Sequence, residues 1–242
     1  MSTSTEFSGF RPAAFTFLRS LRKHNEREWF ERNRATYEAE LRAPLAALAE
    51  EVDVRLASLA PEIVGDPKRS LFRIHRDVRF SSDKSPYKTH VACWFHHVDA
   101  GRGVGTQAAH GGAGFYFHME ATRASIGGGI WMPPRPALQK IREAIDEDSA
   151  PLRKILSSAT IRRHFGGLDE ENMLSRTPRG YPMTHPAIAL LRHQSFTLGR
   201  ELAHKDVLEA RLPDLLAREY AKLLPLVRWI NHALGLRVLA RR

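Results

Sequence analysis

The sequence predicts an α+β fold, with a central, mainly antiparallel sheet of four to five strands packed by N-terminal and C-terminal helices. Three observations lead there. Apolar residues recur at helical spacing through the first sixty positions, switch to period two in the middle third, and return to helical spacing from Pro134. Helices, then strands, then helices is the order of segregated layers. The expected unit is one domain over 10–238, with N-terminal helices over 11–60, the sheet over 71–132 and C-terminal helices over 134–235.

Each element has its own signal. Pro12 suits a first helical turn, and Phe15, Leu18 and Leu21 follow on one face. Asn25 with Glu28 reads as a capping box that restarts the helix through Trp29, Phe30, Asn33 and Tyr37. Leu41, Leu45, Leu48, Val52 and Leu56 extend the stripe, and Pro44 predicts a bend or break. PEIVGDPKRS (61–70) reads as a loop. Period-two patterning predicts strands over 72–75, 91–98, 114–120 and 123–131. Between the second and third lies DAGRGVGTQAAHGGAG, a glycine-rich loop without a P-loop lysine or a dinucleotide fingerprint, read as a surface insertion. Leu138, Ile141 and Ile145 share a helix face, and Ser149 before Pro151 caps another helix. Residues 166–185 are irregular, Thr184 with Pro186 opens a short helix, SFTLGREL is an edge strand, and 212–235 is a long amphipathic helix.

Composition narrows the class. A chain of 242 residues, 43% hydrophobic and 26% charged, builds a sizeable core and is not a disordered or fibrous sequence. Its 37 Lys and Arg against 27 Asp and Glu give a formal charge of +10, which favours anionic partners. That charge is spread along the chain rather than held in a basic tail. Cys93 is the only cysteine, so no intrachain disulfide forms; in VACWF it reads as core. No signal peptide and no membrane-spanning run is visible, so the expected location is cytoplasmic, with no membrane partner.

The chemistry concentrates in FRIHRDVRFSSDKSPYKTH (72–90). Over 68–90, seven Lys and Arg face only Asp77 and Asp83. Arginine forks match phosphate or carboxylate oxygens two at a time, whereas Lys84 and Lys88 act as point charges. Strand alternation places Phe72 and Ile74 on a core face and Arg73 and His75 on the opposite one. In 114–120, Phe115, Phe117 and Met119 share the core side, and Tyr116, His118 and Glu120 share the polar side. Two readings stay open: an anion site, or an Arg–Asp network that ties loops together. His118, with Glu120 or Tyr116 beside it, is a candidate acid or base. Adjacent His96 and His97 point to opposite faces, and no HExxH or Cys pair is present, so neither a metal nor a cofactor is expected.

The same stretch resembles the signature of the proteins catalogued as domain of unknown function 2461. NEREWFERNRATYE is similar to that family's Trp-Phe helix, GFYFHME to its short strand, ASIGGGIWMP to its glycine strand, and RGYPMTHPAIALLRH to its Gly-Tyr and His-Pro pattern. These matches run in order from about Phe10 to Leu234. The resemblance implies interest in Arg73, Arg76, Asp77, Arg79, Lys84, Tyr87 and Lys88 as ligand-binding positions, and it supplies no catalytic role to transfer. His75 stands where the family pattern has Tyr, and the insertion around 99–112 is longer, which weakens a catalytic role for either. The function expected is therefore binding of a small phosphate- or carboxylate-bearing ligand, with or without turnover. The alternatives are nucleic-acid binding through the same basic patch, and a non-catalytic scaffold. The sequence leaves the oligomeric state open.

Overall fold

The computed structural model describes residues 6–79, 82–100 and 112–239. Phe80 and most of the glycine-rich insertion lie outside the described residues.

The first helix, α1 (Pro12–Lys23), carries Pro12 in its first turn, where the missing N–H costs nothing, and buries Phe15, Phe17, Leu18 and Leu21. The capping role expected of Asn25 is not taken up. Helix α2 (Arg27–Arg32) starts after Glu26 without a side-chain cap. Asn25 instead donates from Nδ2 to the Tyr87 carbonyl (2.9 Å) and accepts from the Tyr87 N–H at Oδ1 (3.0 Å). Its amide supplies the donor and acceptor that a neighbouring strand would have supplied. A short α3 (Arg34–Tyr37) runs through a π-helical turn, Glu38–Arg42, into α4 (Ala43–Leu59). Pro44 explains the widened turn: it has no N–H for the carbonyl four residues back, so the ladder loses a rung there.

Five strands form one antiparallel sheet in chain order: β1 (Ile63–Val64), β2 (His90–His97), β3 (Gly114–Glu120), β4 (Ala124–Ile130) and β5 (Phe196–Leu202). β1 falls inside the stretch expected to be loop, and β5 is the edge strand that SFTLGREL predicts. The strand expected over 72–75 does not form. Phe72 and Ser70 bond to Ala92 and Trp94 along the free edge of β2, and the chain then turns so that Ile74 and Arg76 bond to Lys88 and Pro86. Only the bridges Leu71–Cys93 and His75–Tyr87 result. No single neighbour accompanies the segment long enough to make a strand.

One sheet face is closed by helices. Tyr220 of the long C-terminal helix (Leu212–Ala233) stacks on Phe115, with ring centroids 4.6 Å apart, and Leu223 packs over Gly128. Phe115, Phe117, Met119 and Cys93 are fully buried on this side, as the alternation predicts. The α5 helix (Arg135–Glu147) buries Ile141 and Ile145 with Leu138 packed against the core. Ser149 stands at the N-cap of the next helix, Ala150–Ser157, but makes no side-chain cap bond.

Candidate functional site

The opposite face is polar and partly open. Pairing sets His90, Ala92 and Trp94 of β2 beside Glu120, His118 and Tyr116 of β3, and Gly127 and Ser125 of β4 beside Tyr116 and His118. On β5, Gly199 and Glu201 continue the same rows and are exposed. Alternation along β3 therefore lines up Tyr116, His118 and Glu120 on one face. They form a continuous row of hydrogen bonds: Tyr116 Oη to His118 Nδ1 at 3.0 Å and His118 Nε2 to Glu120 Oε1 at 2.9 Å. Arg123, in the turn after β3, donates to the same Glu120 oxygen at 3.2 Å. Burial alone would raise the Glu120 pKa, but the Arg123 and His118 hydrogen bonds outweigh it and hold the carboxyl below the usual range. Burial pushes the Tyr116 phenol upward. Behind the row, Tyr220 donates to the Tyr116 carbonyl at 3.1 Å and ties β3 to the C-terminal helix.

Phe72 is on this face, not on the core face expected for it. The Leu71–Cys93 bridge turns Leu71 toward the core, and Phe72 then meets Tyr116 edge-on, with ring centroids 5.8 Å apart. Lys88 Nζ sits 5.3 Å from the Phe72 ring centroid, a cation–π contact. Burial lowers the Lys88 pKa, and the charges of Arg73 and Arg76 lower it further. The His90 ring lies tilted against His118, with centroids 4.5 Å apart. Burial, then His118 and Lys88, depress its pKa to about 4.

The predicted ligand residues divide into groups. Arg73 and Arg76 lie close enough for their charges to act on Lys88. Arg76 donates to Asp83 at 2.7 Å, while its buried Nε has no hydrogen-bond partner among the described residues. Asp77 grips Arg79 through two side-chain bonds of 3.0 and 2.8 Å, which holds the carboxyl at a pKa of about 2, and Arg79 stays 76% exposed. Lys84 donates to the Val78 carbonyl at 2.9 Å, closing the turn. Tyr87 is buried at 2% exposure and stacks on Phe30 at 4.1 Å, where it anchors the hairpin to the N-terminal helices. His75 packs against Tyr87 rather than joining the polar row.

Sequence reasoning did not single out His90, Trp94 and Arg123 for this face. Their signal was parity: His90 and Trp94 share the phase of Ala92, and Arg123 stands three residues after Glu120. No group of three or more His, Cys, Asp or Glu placed to hold a metal ion occurs among the described residues. Cys93 is buried, and burial raises its thiol pKa, in keeping with a core residue. Two clefts lie elsewhere. One of about 380 Å³ is lined by Phe17, Trp29 and Asn33, and one of about 120 Å³ by Asp206, Arg211 and Arg218. The polar sheet face is distinguished by its chemistry rather than its depth.

These features define a class: an antiparallel α+β protein with one helix-covered sheet face and one polar face overhung by a basic hairpin. The family model described as Conserved hypothetical protein (DUF2461) matches residues 13–229, and the chain belongs to that family. No curated protein and no solved structure matches it. Among the described residues, no helix is long and apolar enough to cross a membrane.

Proposed function

We propose that this protein binds a small phosphate- or carboxylate-bearing ligand where Arg73, Arg76 and Lys88 overhang the polar sheet face. One observation supports the reading most. Lys88 is half-buried, next to two arginines, with no ion-pair partner among the described residues. Like charges gathered in a partly desolvated place destabilise the fold unless an anion offsets them. The other residues of the segment have different work: Asp77, Arg79 and Lys84 shape the hairpin, and Tyr87 fixes its base.

Calorimetric titration with inorganic phosphate, and a thermal-shift screen of phosphorylated and carboxylated metabolites, test this. Lys88→Met weakens phosphate binding by roughly tenfold, about 1.4 kcal/mol, while exposed Arg79→Ala changes it little. Equal loss in both variants would mean a diffuse surface charge rather than a site. Binding that instead tracks long polynucleotides and falls steeply with salt would favour the nucleic-acid reading.

A further inference from the structure

The Tyr116–His118–Glu120 row has the connectivity of a proton relay, and we infer that it makes this face an acid–base catalytic site, with Tyr116 Oη as the group that meets the substrate. The inference relies on the ligand reading above for the class of substrate but not for the relay itself. Glu120 accepts from both His118 and Arg123, so an ionised Glu120 fixes the hydrogen of the neutral imidazole on Nε2. His118 Nδ1 is then an acceptor, and the hydrogen bond at 3.0 Å is donated by the Tyr116 hydroxyl. With that hydrogen committed, the phenol oxygen can only accept from a ligand. The substrate group facing it is therefore a donor: a hydroxyl on a small phosphate- or carboxylate-bearing molecule whose anion lies at Lys88 and its neighbouring arginines.

The proton movement balances within the row. Tyr116 Oη takes the substrate hydroxyl proton as its own proton passes to His118 Nδ1, and the resulting imidazolium is held by the Glu120 carboxylate. The substrate is left as an alkoxide and the phenol is restored. Burial keeps the phenol protonated at rest, so a partner base is required, as it is for any buried hydroxyl asked to accept a proton. The other charged or titratable groups around the row are Arg123 on Glu120, Glu201 on Arg123 at 3.7 Å, His90 against the His118 ring, and Lys88 beyond Phe72. The hydrogen bond that the Tyr116 hydroxyl makes among the described residues is the one to His118. Phe72, edge-on to Tyr116 and under Lys88, spaces the anion from the phenol.

A carboxylate-bearing electrophile, 4-(fluorosulfonyl)benzoate, reads this out on the intact protein without a known substrate. Its carboxylate suits the cationic rim, and an activated phenol displaces fluoride: the Tyr116 Oη–S bond forms, the S–F bond breaks, and the phenol proton goes to His118. Peptide mass spectrometry is expected to find the label on Tyr116, absent in Tyr116→Phe. Labelling slows by roughly 100-fold in His118→Gln, with circular dichroism of both variants unchanged. Tyr116 labelling that inorganic phosphate does not slow would retain the relay and remove the ligand reading. Phosphate binding that depends on Lys88, together with an unlabelled Tyr116 or a rate indifferent to His118→Gln, would retain the ligand reading and overturn the relay.

Discussion

At the scale of single residues, the hairpin depends on one amide. Asn25 bonds both backbone groups of Tyr87, and Tyr87 stacks on Phe30, so helical and hairpin segments 62 positions apart are joined at one point. Asn25→Ala leaves a buried tyrosine with an unpaired N–H and C=O, and the expected cost is about 2 kcal/mol. Urea denaturation checks this, and a change below a few tenths would show that water or neighbouring backbone replaces the amide. The same substitution loosens the base from which Arg76 and Lys88 project, so phosphate affinity is expected to fall with it. From the sequence, Asn25 looked like a helix cap because its spacing to Glu28 fits a capping box. A partner 62 residues away leaves no trace in local spacing.

At the scale of elements, the strands that pair over their full length were legible and the basic segment was not. β2, β3 and β4 run for eight, seven and seven residues, and along β3 the alternation is long enough to reveal both faces. The segment from Ser70 to Arg76 changes partner midway, from β2 to residues 86–88, so its apparent alternation assigned Phe72 to the wrong side. The glycines of β4 stand at close approaches. Leu223 packs on Gly128, and Gly129 has φ +130°, with the Phe196 carbonyl 1.9 Å from where a β-carbon would sit. Gly129→Ala therefore meets both a forbidden conformation and the backbone of β5, and should cost at least about 2 kcal/mol. A thermal melt unchanged from the native protein would contradict the register between β4 and β5.

At the scale of the whole molecule, the surplus of positive charge makes stability and binding depend on solution conditions. His90 is the group with the clearest sign. Unfolded, its ring takes a proton near pH 6.5; folded, it resists until about 4. Unfolding therefore takes up a proton between those values, and stability falls as pH drops from 6.5 toward 4, with no contribution from this group above 6.5. Allowing for solvent screening of a partly exposed ring, the loss is roughly 1–2 kcal/mol. Urea midpoints at pH 7.5 and 5 should converge in His90→Gln relative to the native protein, and an identical pH slope in both would remove His90 as the cause. The α+β layering and the polar face of β3 followed from periodicity alone. Which cations of the segment share one place did not, because that depends on which carboxylate each arginine reaches in three dimensions.

The central claim is that Arg73, Arg76 and Lys88 hold one anion over Tyr116. A crystal structure of the protein grown in phosphate, with no other oxyanion present, addresses it most directly. The expected result is one phosphate in hydrogen-bond contact with Lys88 Nζ and at least one of the two guanidinium groups, on the Tyr116 side of the hairpin. Side chains pointing apart into solvent, with phosphate scattered over the surface or absent, would contradict it.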